Sequence, residues 1–145
     1  MAAICYVDTS ALAKRYVQES GSAAFDAFCE APDCELIISP LVATELSALL
    51  QRRVRAGELT SRYVNEARRR FQDEVASGAW RLVPFQAAAF SRASELLWTL
   101  GAPLATLDSM HLACALLGGA ESLATADRQL ATACGKAMLH VHTFR

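Results

Sequence analysis

The sequence predicts an α/β fold, a three-layer α/β/α sandwich around a central parallel sheet of four to five strands. Two observations carry this. Short apolar, β-prone runs at 4–7, 36–39, 80–83, 122–125 and 138–142 alternate with longer stretches of helical periodicity. Parallel strands need crossover connections, and the intervening helices supply them. No repeat, low-complexity tract or linker interrupts the 145 residues, so the chain reads as one domain over 1–145. That length buries about two thirds of the unfolded surface without staples.

Each element has a local reason. The run 4–7 stops at Asp8, with Thr9 and Ser10 ready to cap a helix over 11–17. Ser22 opens a second helix over 23–30, and a loop follows over 31–35. Ser39-Pro40 ends the second strand with proline in the first turn of a helix over 41–54, whose Leu41, Val42, Leu46, Leu49 and Leu50 lie near one face. Thr60 opens a helix whose Tyr63, Val64, Ala67, Phe71 and Val75 are spaced by three and four. Further helices are expected over 86–100, 107–117 and 127–134, each stopped by glycine. Phe71, Trp80 and Trp98 are expected in the core.

Composition narrows the function. Net charge is −1, so a nucleic-acid partner requires a local basic patch rather than a globally basic surface. Five cysteines, an odd number with no Cys-x-x-Cys pair, argue against a disulfide framework or a zinc site and for a reducing, cytoplasmic setting. The apolar N-terminal run is too short for a secretory signal and lacks a basic lead. The longest nearly apolar run, 112–120, falls far short of a membrane span. A soluble intracellular protein without a membrane partner is expected.

The chemistry rests on acids at strand ends, where open α/β sheets bind their ligands. Asp8 follows the first strand, and Asp127 follows the run 122–125. Glu45 interrupts the apolar helix after 36–39, and Asp108 stands near the start of another very apolar helix. Acids in such surroundings are seldom buried unless paired or metal-bound, so they point to a cleft. Alone, Asp8 and Asp127 read equally well as helix caps. Together the four carboxylates repel unless a cation neutralises them, and hard oxygen ligands suit Mg²⁺ or Mn²⁺. An acid-only site of this kind points to metal-assisted phosphoryl hydrolysis. Thr9, Ser10 and Thr125 are supporting hydroxyls, though capping explains each as well.

Four blocks carry a resemblance. Tyr6-Val-Asp-Thr-Ser-Ala-Leu, Ala43-Thr-Glu-Leu, Leu107-Asp-Ser-Met-His-Leu-Ala and Thr125-Ala-Asp-Arg-Gln-Leu resemble the signature blocks of PIN-domain ribonucleases, in family order. In a chain this short they look most like the VapC toxins of bacterial type II toxin–antitoxin pairs. The resemblance implies Mg²⁺- or Mn²⁺-dependent endonucleolytic cleavage of RNA and inhibition by a small antitoxin protein; the interleaved Leu, Tyr and Phe of the helices over 41–54 and 60–75 offer an antitoxin groove or the surface of an expected homodimer. It assigns Asp8, Glu45, Asp108 and Asp127 to the catalytic site. Asp8, Asp108 and Asp127 would hold the first metal, and Glu45 the second metal or the water. Some relatives carry a further acid two residues after the fourth block's Asp, where this chain has Gln129.

Lys14 and Arg15 follow Asp8 by about two helical turns, and Arg52 and Arg53 begin a run of seven arginines ending at Arg70. These four are candidate RNA contacts, against a solvated helical face for the arginine run. His111, three residues after Asp108, reads better as a structural histidine than as a ligand. Three other readings remain. A phosphatase with Asp8 as phosphoacceptor wants a second Asp where Ser10 stands. A nucleotide-binding module wants a Gly-rich loop after the first strand. A PIN-like domain that binds RNA or a partner without cutting has no use for four clustered acids.

Overall fold

The computed structural model describes residues 3–30 and 33–145. Five strands alternate with seven helices: β1 (Ala3–Val7), α1 (Thr9–Tyr16), α2 (Ser22–Glu30), β2 (Cys34–Ile38), α3 (Pro40–Arg55), α4 (Ser61–Ala76), β3 (Arg81–Leu82), α5 (Ala88–Thr99), α6 (Thr106–Leu117), β4 (Ser122–Thr125), α7 (Arg128–Lys136) and β5 (His140–Thr143). The strands form one all-parallel sheet in the order β3-β2-β1-β4-β5. Strands covered on both faces should read as continuous apolar runs. Cys5, Tyr6, Val7, Ile37, Ile38, Leu123 and Ala124 are accordingly fully buried.

The strand order sets the location of the site. From β1 the chain moves one way to β2 and β3, and from β4 it moves the other way to β5. Right-handed crossovers then put α1–α4 on one face and α5–α7 on the other. The packing agrees: α1 lies against α2 and α3, α3 against α4, α5 against α6, and α6 against α7. Adjacent strands whose connections leave in opposite directions open a crevice at their carboxyl ends. Here that crevice lies between the ends of β1 and β4. The central parallel sheet and its two helical layers match the expected architecture.

Several details differ from the sequence reading. Of the three capping candidates Asp8 takes the role, its Oδ1 accepting from the Ala11 amide at 2.9 Å, and α1 begins at Thr9 rather than at residue 11. Ser22 does not cap α2; it is the first helical residue, and its hydroxyl bridges the Glu19 amide and the Val17 carbonyl. Trp98 is 88% exposed, not in the core, because α5 buries Ala89, Ala93 and Leu96 on the opposite stripe. Trp80 and Phe71 are buried as expected. The third strand contracts to Arg81–Leu82 at the sheet edge, where only β2 can pair with it. Of the loop expected over 31–35, residues 31 and 32 lie outside the described residues, and β2 already begins at Cys34.

Candidate active site

Asp8 leaves the end of β1 with its backbone N–H still in the sheet, donating to the Ala124 carbonyl. Its carboxylate is 3% exposed and collects three donors: the Ala11 amide, the Ser10 hydroxyl at 2.8 and 3.0 Å to its two oxygens, and the Thr125 hydroxyl at 2.6 Å. A carboxylate has about four acceptor sites, so about one is left for a ligand. Burial drives the Asp8 pKa up, opposed by the Thr125, Ala11 and Ser10 hydrogen bonds and by the positive field of His111.

Asp127 reaches the same place from β4. Its backbone N–H donates to Thr125 Oγ1 at 3.0 Å, and its Oδ1 caps α7 by accepting from Leu130 at 2.8 Å. Ser10 ties the two strand ends, accepting from the Ala126 amide at 2.8 Å while donating to Asp8. Thr9 donates instead to Glu45 Oε1 at 2.9 Å, bringing the second turn of α3 to the crevice. Ser10 and Thr125 thus tie the ends of β1 and β4 together, and Thr9 ties the start of α1 to Glu45.

Asp108, in the first turn of α6, meets no hydrogen-bond donor among the described residues. Burial and then the negative charge of Asp127 push its pKa up to about 6, with Asp8 and Glu45 adding and His111 opposing. Four acids from four elements therefore share one electrostatic field. Glu45 responds differently. Burial raises its pKa, but the hydrogen bond and charge of His111 and the bond from Thr9 outweigh that and hold it below the usual carboxylate value.

The donor set is all oxygen, which suits a hard divalent cation. Among the described residues no three His, Cys, Asp or Glu side chains close into a ready-made cage. Mg²⁺ does not require one, because one or two carboxylates with waters and phosphate oxygens hold it. The donor chemistry fits. The five cysteines are free, and burial pushes the thiols of Cys5, Cys29 and Cys134 up to about 12.

The basic candidates separate. Lys14 is 7% exposed and spends its ammonium on the Ser20 carbonyl at 2.6 Å and on Glu19. Arg15 lies beside Asp26, Glu30 and Glu74. Both stand at the far end of α1 from Asp8, and their internal pairing corrects their reading as free RNA contacts. Arg53 pairs with Glu19 and Glu58. Arg52 is exposed, and so are Arg55, Arg68 and Arg69 further along the two helices. Tyr6 and Ser39, missed at the sequence level, connect to Glu45 through His111. The available signal was a tyrosine inside a buried strand, whose hydroxyl must find a partner.

A family model for the PIN domain matches residues 5–136. The chain belongs to the PIN domain family. Its fold is that of the VapC toxins: it superposes on VapC20 of Mycobacterium tuberculosis, a sarcin-ricin loop cleaving toxin, with a TM-score of 0.70 at 19% identity, covering 89% of this chain and 94% of that one. VapBC2 of Rickettsia felis, solved with a DNA fragment from its promoter, gives 0.68 at 14% identity, covering 98% and 99%. PAE2754 of Pyrobaculum aerophilum gives 0.69 at 18%, covering 97% and 85%. A comparison with curated protein sequences finds no match.

Proposed function

We propose that this chain acts as a single nuclease domain, a Mg²⁺- or Mn²⁺-dependent endoribonuclease that is the toxin of a toxin–antitoxin pair in the cytoplasm. The observation that carries the reading is the meeting of Asp8 and Asp127 where β1 and β4 end, tied by Ser10 and Thr125, with Glu45 bonded to Thr9 and the charges of Asp127, Asp8 and Glu45 acting on Asp108. Membership of the PIN family and the likeness to toxins of toxin–antitoxin pairs support it.

Asp8, Asp108 and Asp127 are the residues that would hold the cation. When bound, it supplies the charge that activates a water for in-line attack on phosphorus and steadies the leaving oxygen. The chain's own residues do the rest. Ser10 and Thr125 fix the Asp8 carboxylate in place and oppose the cost of its burial. Glu45, held ionised by His111 and Thr9, orients the attacking water. The exposed arginines of α3 and α4, Arg52 among them, draw RNA phosphates to this side. Attack by water leaves 5′-phosphate and 3′-hydroxyl ends. The groove between α3 and α4, rimmed by Ser47, Gln51, Asn65 and Arg68 over a buried apolar floor, would receive a small antitoxin, and the exposed Phe90, Leu97 and Trp98 would supply contacts for a second copy.

Asp8→Asn retains a helix cap but loses the anionic ligand, so RNA cleavage with Mg²⁺ or Mn²⁺ should disappear while the fold persists. Cleavage at wild-type rate by that variant would overturn the assignment. A domain that binds RNA without cutting should show no turnover in a Mg²⁺ or Mn²⁺ titration of the wild-type chain.

A further inference from the structure

His111 is 2% exposed, yet both ring nitrogens are engaged, Nδ1 with the Tyr6 hydroxyl at 2.8 Å and Nε2 with Glu45 Oε1. The Tyr6 hydroxyl is in turn 2.9 Å from Ser39 Oγ. Ser39 is the N-cap of α3, the helix that carries Glu45, but its side chain makes no capping bond. Its hydroxyl serves Tyr6 instead. One unbroken line, Ser39–Tyr6–His111–Glu45, therefore joins the start of α3 to β1 and α6. A buried polar line is costly unless every member is satisfied, and a satisfied one fixes geometry.

The direction of the last bond follows from chemistry. An ionised carboxylate only accepts, so the proton between His111 and Glu45 resides on Nε2. Thr9 donates to the same Oε1. Two donors thus converge on one carboxylate oxygen, while Oε2 meets no donor among the described residues. Such clamping leaves Glu45 one free oxygen in one orientation.

We infer that His111 is a positioning residue: together with Thr9 it pins Oε1 of Glu45, so that Oε2 alone is left to receive the attacking water. What Oε2 does rests on the nuclease reading above. How it is held rests on the side-chain geometry alone. A histidine that merely fills space would contribute to stability and leave turnover untouched.

Two experiments test this. In the metal-free wild-type chain, ring ¹⁵N spectra should show His111 Nε2 protonated at neutral pH, with a resonance that moves in Glu45→Gln. A bare Nε2 would overturn the clamp whatever the activity. In RNA cleavage, His111→Leu should lose roughly 10- to 100-fold in kcat with KM for RNA unchanged. His111→Gln, whose amide N–H mimics Nε2–H, should recover most of it. Thr9→Val should lose turnover where Thr9→Ser does not. Equal kcat for His111→Leu and wild type, or no recovery by glutamine, would overturn the inference. If the leucine variant does not fold, the spectra and the Thr9 pair decide. Absence of cleavage by wild type would count against the nuclease reading, and the ¹⁵N result would still judge the clamp.

Discussion

Thr125 donates its hydroxyl hydrogen to Asp8 Oδ2 at 2.6 Å across the junction of β4 and β1, while its oxygen accepts from the Asp127 amide. One side chain thus holds both strand-end acids. Thr125→Val leaves a buried carboxylate and a backbone N–H short of a partner, at a cost of about 1–3 kcal/mol. Urea unfolding should register that loss, and Thr125→Ser should avoid most of it. A valine variant as stable as wild type would contradict the account.

Asp108 gives a pH dependence whose sign is fixed. Its folded pKa of about 6 lies above its ordinary value of 3.8, so the folded state binds the extra proton between those values. Stability of the metal-free chain from this residue is therefore lost as pH rises from about 4 to about 6. Asp108→Asn should raise the thermal midpoint at pH 7 and change it little at pH 4. A variant with no such pH-dependent difference would show that neither burial nor its acidic neighbours raise the Asp108 pKa.

The two tryptophans should behave oppositely. Trp80 is 2% exposed, and its indole N–H donates to the Tyr16 hydroxyl at 2.6 Å. Trp80→Ala should cost about 3–5 kcal/mol. Trp98→Ala should stay within about 0.5 kcal/mol. Chemical denaturation of the pair checks both values.

Lys14 and Arg52 separate folding from RNA affinity. Lys14→Met removes a buried donor from the Ser20 carbonyl and should destabilise by about 1–3 kcal/mol, leaving the salt dependence of RNA binding unchanged. Arg52→Gln should be neutral in stability and lower the slope of log affinity against log salt by about 1. Filter binding across a salt series distinguishes them.

Gly21 adopts φ +83°, and a Cβ there would lie 3.1 Å from backbone atoms of Phe144 and Arg145. Gly21→Ala should therefore destabilise by about 1 kcal/mol or more, read as a lower urea midpoint.

The fold was legible in the sequence because the central strands are short apolar runs ending at a polar residue, as at Val7-Asp8 and Ile38-Ser39. The placement of Asp8 and Asp127 was legible for a related reason: each follows a strand, and those two strands lie side by side. Tertiary competition for hydroxyls was not legible. Ser39 precedes a helix and would be assigned as a cap, but Tyr6, 33 residues earlier, takes its hydroxyl. Thr9 and Ser10 were likewise drawn from capping into contacts with Glu45 and Asp8, and Asp8 assumed the cap itself. Trp98 was misread because its size suggests the core, whereas its place on α5 lies opposite the buried stripe of Ala89, Ala93 and Leu96.

Two of the four acids have a second occupation. Asp8 begins α1 and Asp127 begins α7, so folding alone would retain an Asp, or its equally good capping substitute Asn, at both positions. Glu45 and Asp108 begin nothing, and Asp108 carries an electrostatic penalty. A descendant of this chain released from selection at this rim would therefore drift first at position 108, and keep acids at 8 and 127 for their caps and at 45 for its bonds to His111 and Thr9.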